Sequence, residues 1–142
     1  MAVTGQEVAT LRAQLAGDFV EHKQLLRQLE GTGGLVGYMA LVAAGFFEAV
    51  DRRFGKGTTP ADVIQFVGDV RSRFDGADDG IDPRVAERLI LRVLGQGSVG
   101  DLDGATIRRL QRLLLPVLVA DEQLDDAGLD EFLTSARKLA DR

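Results

Sequence analysis

Apolar residues recur at intervals of three and four along most of this chain, the spacing that places them on one face of an α-helix. The first stripe lies in residues 6–30 and predicts one long amphipathic helix. Its apolar positions are Val8, Leu11, Leu15, Phe19, His22, Leu26 and Leu29. The segment "GTGG" (31–34) then interrupts the pattern. A second helix is predicted over residues 35–54, and because it is apolar on most of its circumference we expect it at the centre of the fold.

Start signals mark the helices that follow. Thr59 and Asp82 each precede a proline, a pair typical of an N-cap and the first helical position. Further stripes predict helices after about residues 104 and 128. Pro116 lies inside the fifth predicted helix, where its missing N–H and its ring would either kink that helix or split it. The pattern predicts an all-α protein in which residues 1–142 form one domain, a compact bundle of five to six helices.

The segment "GQGSVG" (95–100) matches the G-x-G-x-x-G pattern of a dinucleotide-binding loop. The residues before it, "LILRVL", belong to the helix predicted from Asp82 and not to a strand. Asp101 and Asp103 would also repel a pyrophosphate from the following helix N-terminus. We therefore interpret the segment as a joint between two helices, with Asp103 as the N-cap of the second, and expect no cofactor.

Groups suited to metal binding or catalysis are few. The acidic loop at 75–82 has Ala77 and Ala86 where the third and twelfth ligands of an EF-hand belong. His22 is the only histidine, and the chain has no cysteine. Thiol chemistry is thereby excluded and imidazole chemistry is restricted to one residue. We expect no metal site and no enzymatic activity.

Charge and hydropathy narrow the class of partner. The net charge is −5 and the isoelectric point is about 4.9, which disfavours nucleic acid and anionic lipid as partners of the whole molecule. The longest continuous apolar run, residues 35–47, is too short to span a bilayer. The N-terminus lacks the basic start and apolar core of a signal peptide. These features predict a cytoplasmic protein without membrane segments.

Two groups of arginines form the most suggestive charged feature. One group is spaced by four along one edge of the fourth predicted helix, and the other lies on the fifth. The candidate partner- or anion-binding residues are Arg84, Arg88, Arg92, Arg108, Arg109 and Arg112. They would bind phosphates or an acidic partner, or they would pair with the acids of the tail, residues 116–142, which hold seven acids against three bases.

The first predicted helix has two alternative uses, as part of its own bundle or as an arm that pairs with a second copy. The candidate self-association residues are Leu11, Leu15, His22, Leu26 and Leu29. Together these features predict a non-catalytic helical protein–protein interaction module that self-associates. The alternative is a regulatory protein that binds nucleic acid or a nucleotide through the arginine-lined helix edge.

Overall fold

The structure is a computed structural model that describes residues 3–55, 57–73, 82–96 and 100–142. These residues form seven α-helices and no strand. The helices are α1 (Gly5–Leu15), α2 (Phe19–Thr32), α3 (Leu35–Phe54), α4 (Pro60–Arg73), α5 (Pro83–Val93), α6 (Gly104–Glu122) and α7 (Asp126–Ala140). The all-α prediction is confirmed. The predicted count of five to six helices is wrong, because residues 6–30 form two helices instead of one.

The break between α1 and α2 is a Schellman turn centred on Gly17, whose φ of 84° lies in the left-handed region that favours glycine. The amide of Gly17 donates to the carbonyl of Gln14, and the amide of Asp18 donates to the carbonyl of Ala13. Asp18 then starts α2 as its N-cap, since its carboxylate accepts from the amide of Glu21 at 3.2 Å. The chain therefore changes direction here although the apolar spacing continues across the turn.

The central helix α3 coincides with the predicted apolar segment 35–54. It packs against α1, α5, α6 and α7, while α4 packs chiefly on α5. One core cluster includes residues from all seven helices. Its most completely buried large side chains include Leu11, Leu29, Leu41, Phe46, Ile90, Leu110, Leu114, Leu115, Leu118 and Phe132. The apolar circumference of α3 is thus explained by neighbours on several sides.

The predicted starts at Pro60, Pro83 and Gly104 are confirmed, whereas the last helix begins at Asp126, two residues before the predicted start. The carboxylates of Asp82 and Asp103 accept from first-turn amides of α5 and α6. The residues "LILRVL" belong to the C-terminal part of α5 and not to a strand. A dinucleotide-binding loop follows a β-strand, so this interpretation of "GQGSVG" is not supported. Residues 97–99 of that segment, and residues 75–81 of the acidic loop, lie outside the described residues. The helix α6 runs through Pro116 unbroken, so this proline does not split it.

Glu7 of α1 lies against the backbone of α3 at Gly37. A Cβ at this position would overlap the Glu7 carboxylate, so one of the two would have to move. That carboxylate is buried, and it accepts from the amide of Thr4 at 2.6 Å and from the Thr4 hydroxyl. The capping box of α1 is therefore packed directly on the backbone of α3.

We predict opposite effects for alanine at two helical glycines. Gly68 of α4 has open space around it, so Gly68→Ala should raise the free energy of unfolding by about 0.5–1 kcal/mol. Gly37→Ala should instead lower it by about 1–2 kcal/mol, because the new methyl group displaces the Glu7 carboxylate from its capping box. Urea denaturation of both variants checks the pair. Equal stabilisation by the two alanines would contradict the close packing of α1 on α3.

Candidate binding cleft

A cleft of about 520 Å³ separates α2 from α3 and α6; we call it the α2 cleft. Four helices contribute to its walls, and α1 supplies only Gln14. The other lining residues are His22, Leu26 and Glu30 of α2, Leu35, Tyr38 and Met39 of α3, and Arg109, Arg112 and Leu113 of α6. The cleft thus combines apolar side chains with groups that carry charge or form hydrogen bonds.

The cleft exists because α2 packs on only one side. α2 lies mainly against α1 and makes few contacts with α3. Of its 14 residues only Leu29 is buried. Phe19 and Val20 at its N-terminal end keep 62% and 72% of their surfaces exposed. For a helix with this many apolar residues, such burial is incomplete.

Tyr38 forms part of the buried wall of the cleft. Only 3% of its surface is exposed, and its hydroxyl donates to Oε1 of Gln14 at 3.1 Å. Burial raises the pKa of Tyr38 to about 12, and the positive charge of Arg112 opposes that rise. The phenol is therefore neutral at physiological pH and acts as a hydrogen-bonding group instead of a base.

His22 lies beside Tyr38 and has one ring nitrogen engaged. Its Nδ1 is 2.9 Å from the carbonyl oxygen of Thr10. Because a carbonyl only accepts hydrogen bonds, Nδ1 must carry a proton. The ring centroids of His22 and Tyr38 are 6.3 Å apart. A neutral His22 consequently has its lone pair on Nε2, which is not needed to hold the ring in place.

The α2 cleft is positively charged on an acidic molecule. Arg109 and Arg112 oppose the single acid Glu30, which gives the lining a net charge of +1 when His22 is neutral, against −5 for the chain. Arg112 has no carboxylate within 4.0 Å among the residues that the structure describes. The cleft is therefore complementary in charge to an anion.

The structure divides the six candidate arginines. Arg109, which is half-buried, and Arg112, which is exposed, line the α2 cleft, whereas Arg84, Arg92 and Arg108 are exposed elsewhere on α5 and α6. Arg88 pairs with Asp101, with Nη1 and Oδ2 separated by 3.1 Å. This hydrogen-bonded pair lowers the pKa of Asp101 and raises that of Arg88. The spacing by four on α5 did not indicate which arginines would share a site.

The acids of the C-terminal tail pair with other arginines. Asp121 lies between Arg53 and Arg73, at 3.2 and 3.1 Å, and so links α6 to α3 and α4. Arg12 of α1 reaches Asp130 of α7 at 2.8 Å. Within the described ranges, none of the ion pairs formed by the tail involves a candidate arginine.

The five candidate self-association residues are also divided. Leu11 and Leu29 are buried in the core, with 0% and 1% exposure, and Leu15 packs against that core. His22 and Leu26 line the α2 cleft. The turn at Gly17 explains this division, because residues on opposite sides of it no longer share one helical face.

The described residues contain neither a candidate membrane-spanning helix nor a candidate metal site. No helix there combines the length and the apolarity needed to cross a bilayer. Nor do three or more histidine, aspartate or glutamate side chains there come together in a way that could hold a metal ion. The α2 cleft brings together residues of both candidate sets, because His22 and Leu26 of the self-association set line it together with Arg109 and Arg112 of the arginine set.

The chain's single tyrosine makes the environment of the cleft directly measurable. We predict that the absorbance of the Tyr38 phenolate titrates with a midpoint near 12 in the folded chain, against about 10.0 in urea. Because burial penalises the phenolate, the unfolded chain ionises first as the pH rises above 10. The free energy of unfolding should then fall between pH 10 and 12, by at most about 2–3 kcal/mol.

The matched control is Tyr38→Phe, which removes the titrating group and should lose this part of the alkaline destabilisation. A folded-state midpoint near 10 would contradict a buried Tyr38.

Comparison with models of known protein families, with curated proteins and with solved structures found no match to this chain. No relative therefore indicates a ligand, a partner or a reaction.

Proposed function

We propose that this protein is a non-catalytic helical interaction module that self-associates through α2. The observation that carries the proposal is the incomplete burial of α2, whose adjacent apolar residues Phe19 and Val20 are largely exposed. Burying one such side chain contributes about 1.5–3 kcal/mol. A second copy of the chain would cover both residues in each protomer, because a twofold interface presents the same surface from both sides.

The charges of α2 favour a second copy as the partner. Glu21 and Glu30 balance Lys23 and Arg27, so the helix carries no net charge when His22 is neutral. Two α2 helices can therefore approach without net repulsion between them, although each whole chain carries −5. In this proposal the self-association surface is the exposed N-terminal end of α2, and the buried Leu11 and Leu29 have a structural role.

A non-catalytic role is supported by how the reactive groups are engaged. His22 and Tyr38 are the chain's only imidazole and only phenol. The first is held by the Thr10 carbonyl and the second by Gln14. Each bond positions a ring in the wall of the cleft, and neither places a base against a nucleophile. The arrangement suits recognition better than bond breaking.

A second candidate function is regulation through a bound anion. The observation that favours it is the position of Arg109 and Arg112 in a positively charged cleft. This refines the arginine-edge hypothesis from the sequence, because the arginines proposed to bind are those of α6 and not those of α5.

Self-association is tested with two matched variants. Val20→Glu places a charge on the proposed interface, and Ile64→Glu places the same charge on an exposed apolar residue of α4. Glutamate in the first turn of α2 also suits the helix dipole, so the fold should persist. We expect wild-type chain and Ile64→Glu to dimerise, and Val20→Glu to dimerise at least about tenfold more weakly, a difference of about 1.4 kcal/mol.

Light scattering coupled to size exclusion, followed by sedimentation over a concentration series, measures the dissociation constants. A monomeric wild-type chain at all accessible concentrations would refute self-association. Equal weakening by the two variants would instead refute the placement of the interface on α2, because it would indicate a general effect of added charge.

A further inference from the structure

We infer that the α2 cleft binds an anionic amphipath, meaning a single aliphatic chain that ends in a carboxylate or a phosphate group. This inference rests on the second candidate function, the regulatory anion site, and names its ligand class. It does not depend on self-association, which involves the exposed end of α2 and not the cleft.

The size of the cleft fits a small molecule. Its volume of about 520 Å³ lies within the range of roughly 300–1,000 Å³ that is typical of small-molecule sites. The walls come from helices on several sides, so a bound molecule would lie between α2 and the α3–α6 surface with one side open to solvent. A space of this kind suits one extended chain better than a nucleic acid strand, whose recognition needs a longer charged track and stacking surfaces.

Four of the polar residues in the lining lie close together. Tyr38 bonds Gln14, its ring lies 6.3 Å from that of His22, and the charge of Arg112 acts on its phenol. Four polar residues from α1, α2, α3 and α6 therefore meet around one buried ring. An oxyanion here would be a counter-ion for Arg112, which lacks a carboxylate partner among the described residues.

The rest of the lining is mostly apolar. Leu26 of α2, Leu35 and Met39 of α3, and Leu113 of α6 contribute aliphatic side chains. Glu30 is the one acid of the lining and is exposed, and its charge disfavours a second anionic group on the ligand. This lining suits a ligand with one anionic end and an aliphatic remainder.

Charge and apolarity together separate the ligand classes. A neutral aliphatic molecule would leave Arg112 without a counter-ion, and an aliphatic cation would meet a net positive lining. Inorganic phosphate or a nucleotide would pair with Arg112 and leave the apolar side chains of the lining uncovered. Of these classes, the anionic amphipath is the one that contacts both the charged and the apolar side chains of the lining.

The test uses the intrinsic fluorescence of the full chain, which has one tyrosine and no tryptophan, so the signal comes from Tyr38 in the cleft wall. Decanoate and decyl phosphate are the probes, each kept below its micelle concentration. Decanol, decyltrimethylammonium, inorganic phosphate and adenosine monophosphate are the comparison ligands. The ring protons of His22, the only imidazole, provide a second readout by NMR.

We expect saturable binding of decanoate, decyl phosphate or both, and at least tenfold weaker binding of each comparison ligand. Arg112→Gln should weaken binding of the amphipath at least tenfold. The matched control is Arg84→Gln, which removes the same charge from an exposed position on α5 and should leave the affinity unchanged. Circular dichroism establishes that both variants remain folded.

The outcomes separate this inference from the function on which it rests. Binding of phosphate or adenosine monophosphate without the amphipaths would overturn the ligand class and keep the anion site. If no anion binds by either fluorescence or NMR, both the amphipath inference and the proposed anion site are overturned. Equal affinity for decanol and decanoate would show that the cleft binds aliphatic chains without regard to charge. An equal loss of affinity in Arg112→Gln and Arg84→Gln would likewise refute the role of Arg112.

Discussion

The left-handed backbone at Gly17 is the constraint on which the rest of this architecture depends. A residue with a Cβ would take up its φ of 84° only with strain, so glycine allows α1 to stop and Asp18 to start α2 at once. Without that turn, residues 6–30 would continue as one rod, and His22 and Leu26 would be carried away from α3. The turn folds α2 back along α1 and so creates the wall of the α2 cleft.

α2 is attached to the rest of the bundle by a short turn at each end and by its packing on α1. Gly17 and Gly33, both left-handed, join it to α1 and α3 through short turns, and Leu29 anchors it in the core near the second turn. Between these points α2 rests on α1 and leaves the α2 cleft open on its other side. The proposed interaction surfaces therefore share one cause, which is that a single helix is covered on one side only. Its exposed end suits a second copy, and its inner face suits a small amphipath.

Local signals in the sequence were sufficient for most helix starts. Pro60 and Pro83 follow their caps as predicted, and the apolar circumference of α3 correctly indicated its central position. The turn at Gly17 was missed because Leu15, Phe19 and His22 keep a helical spacing across it. The signal that would have found it is the pair Gly17–Asp18 followed by Glu21, a C-cap glycine joined directly to an N-cap.

The candidate site was less accessible to sequence reasoning, because it depends on contacts between helices far apart in the chain. The even spacing of Arg84, Arg88 and Arg92 drew attention to α5, yet Arg109 and Arg112 of α6 are the arginines that line the α2 cleft. Periodicity shows which residues share a face of one helix. It does not show which helix that face will meet, and here the answer follows from the turn at Gly17.

The central claim is that α2 is covered on one side only and is attached to a core built around α3, so that it should open more easily than that core. Residue-resolved amide hydrogen exchange on the Val20→Glu chain, which we expect to be monomeric and ligand-free, tests this most directly. The account predicts that the internal amides of α2 exchange through openings at least about 1–2 kcal/mol smaller than the global unfolding that exposes α3. Equal opening free energies for α2 and α3 would contradict it, because α2 would then be an integral part of the core.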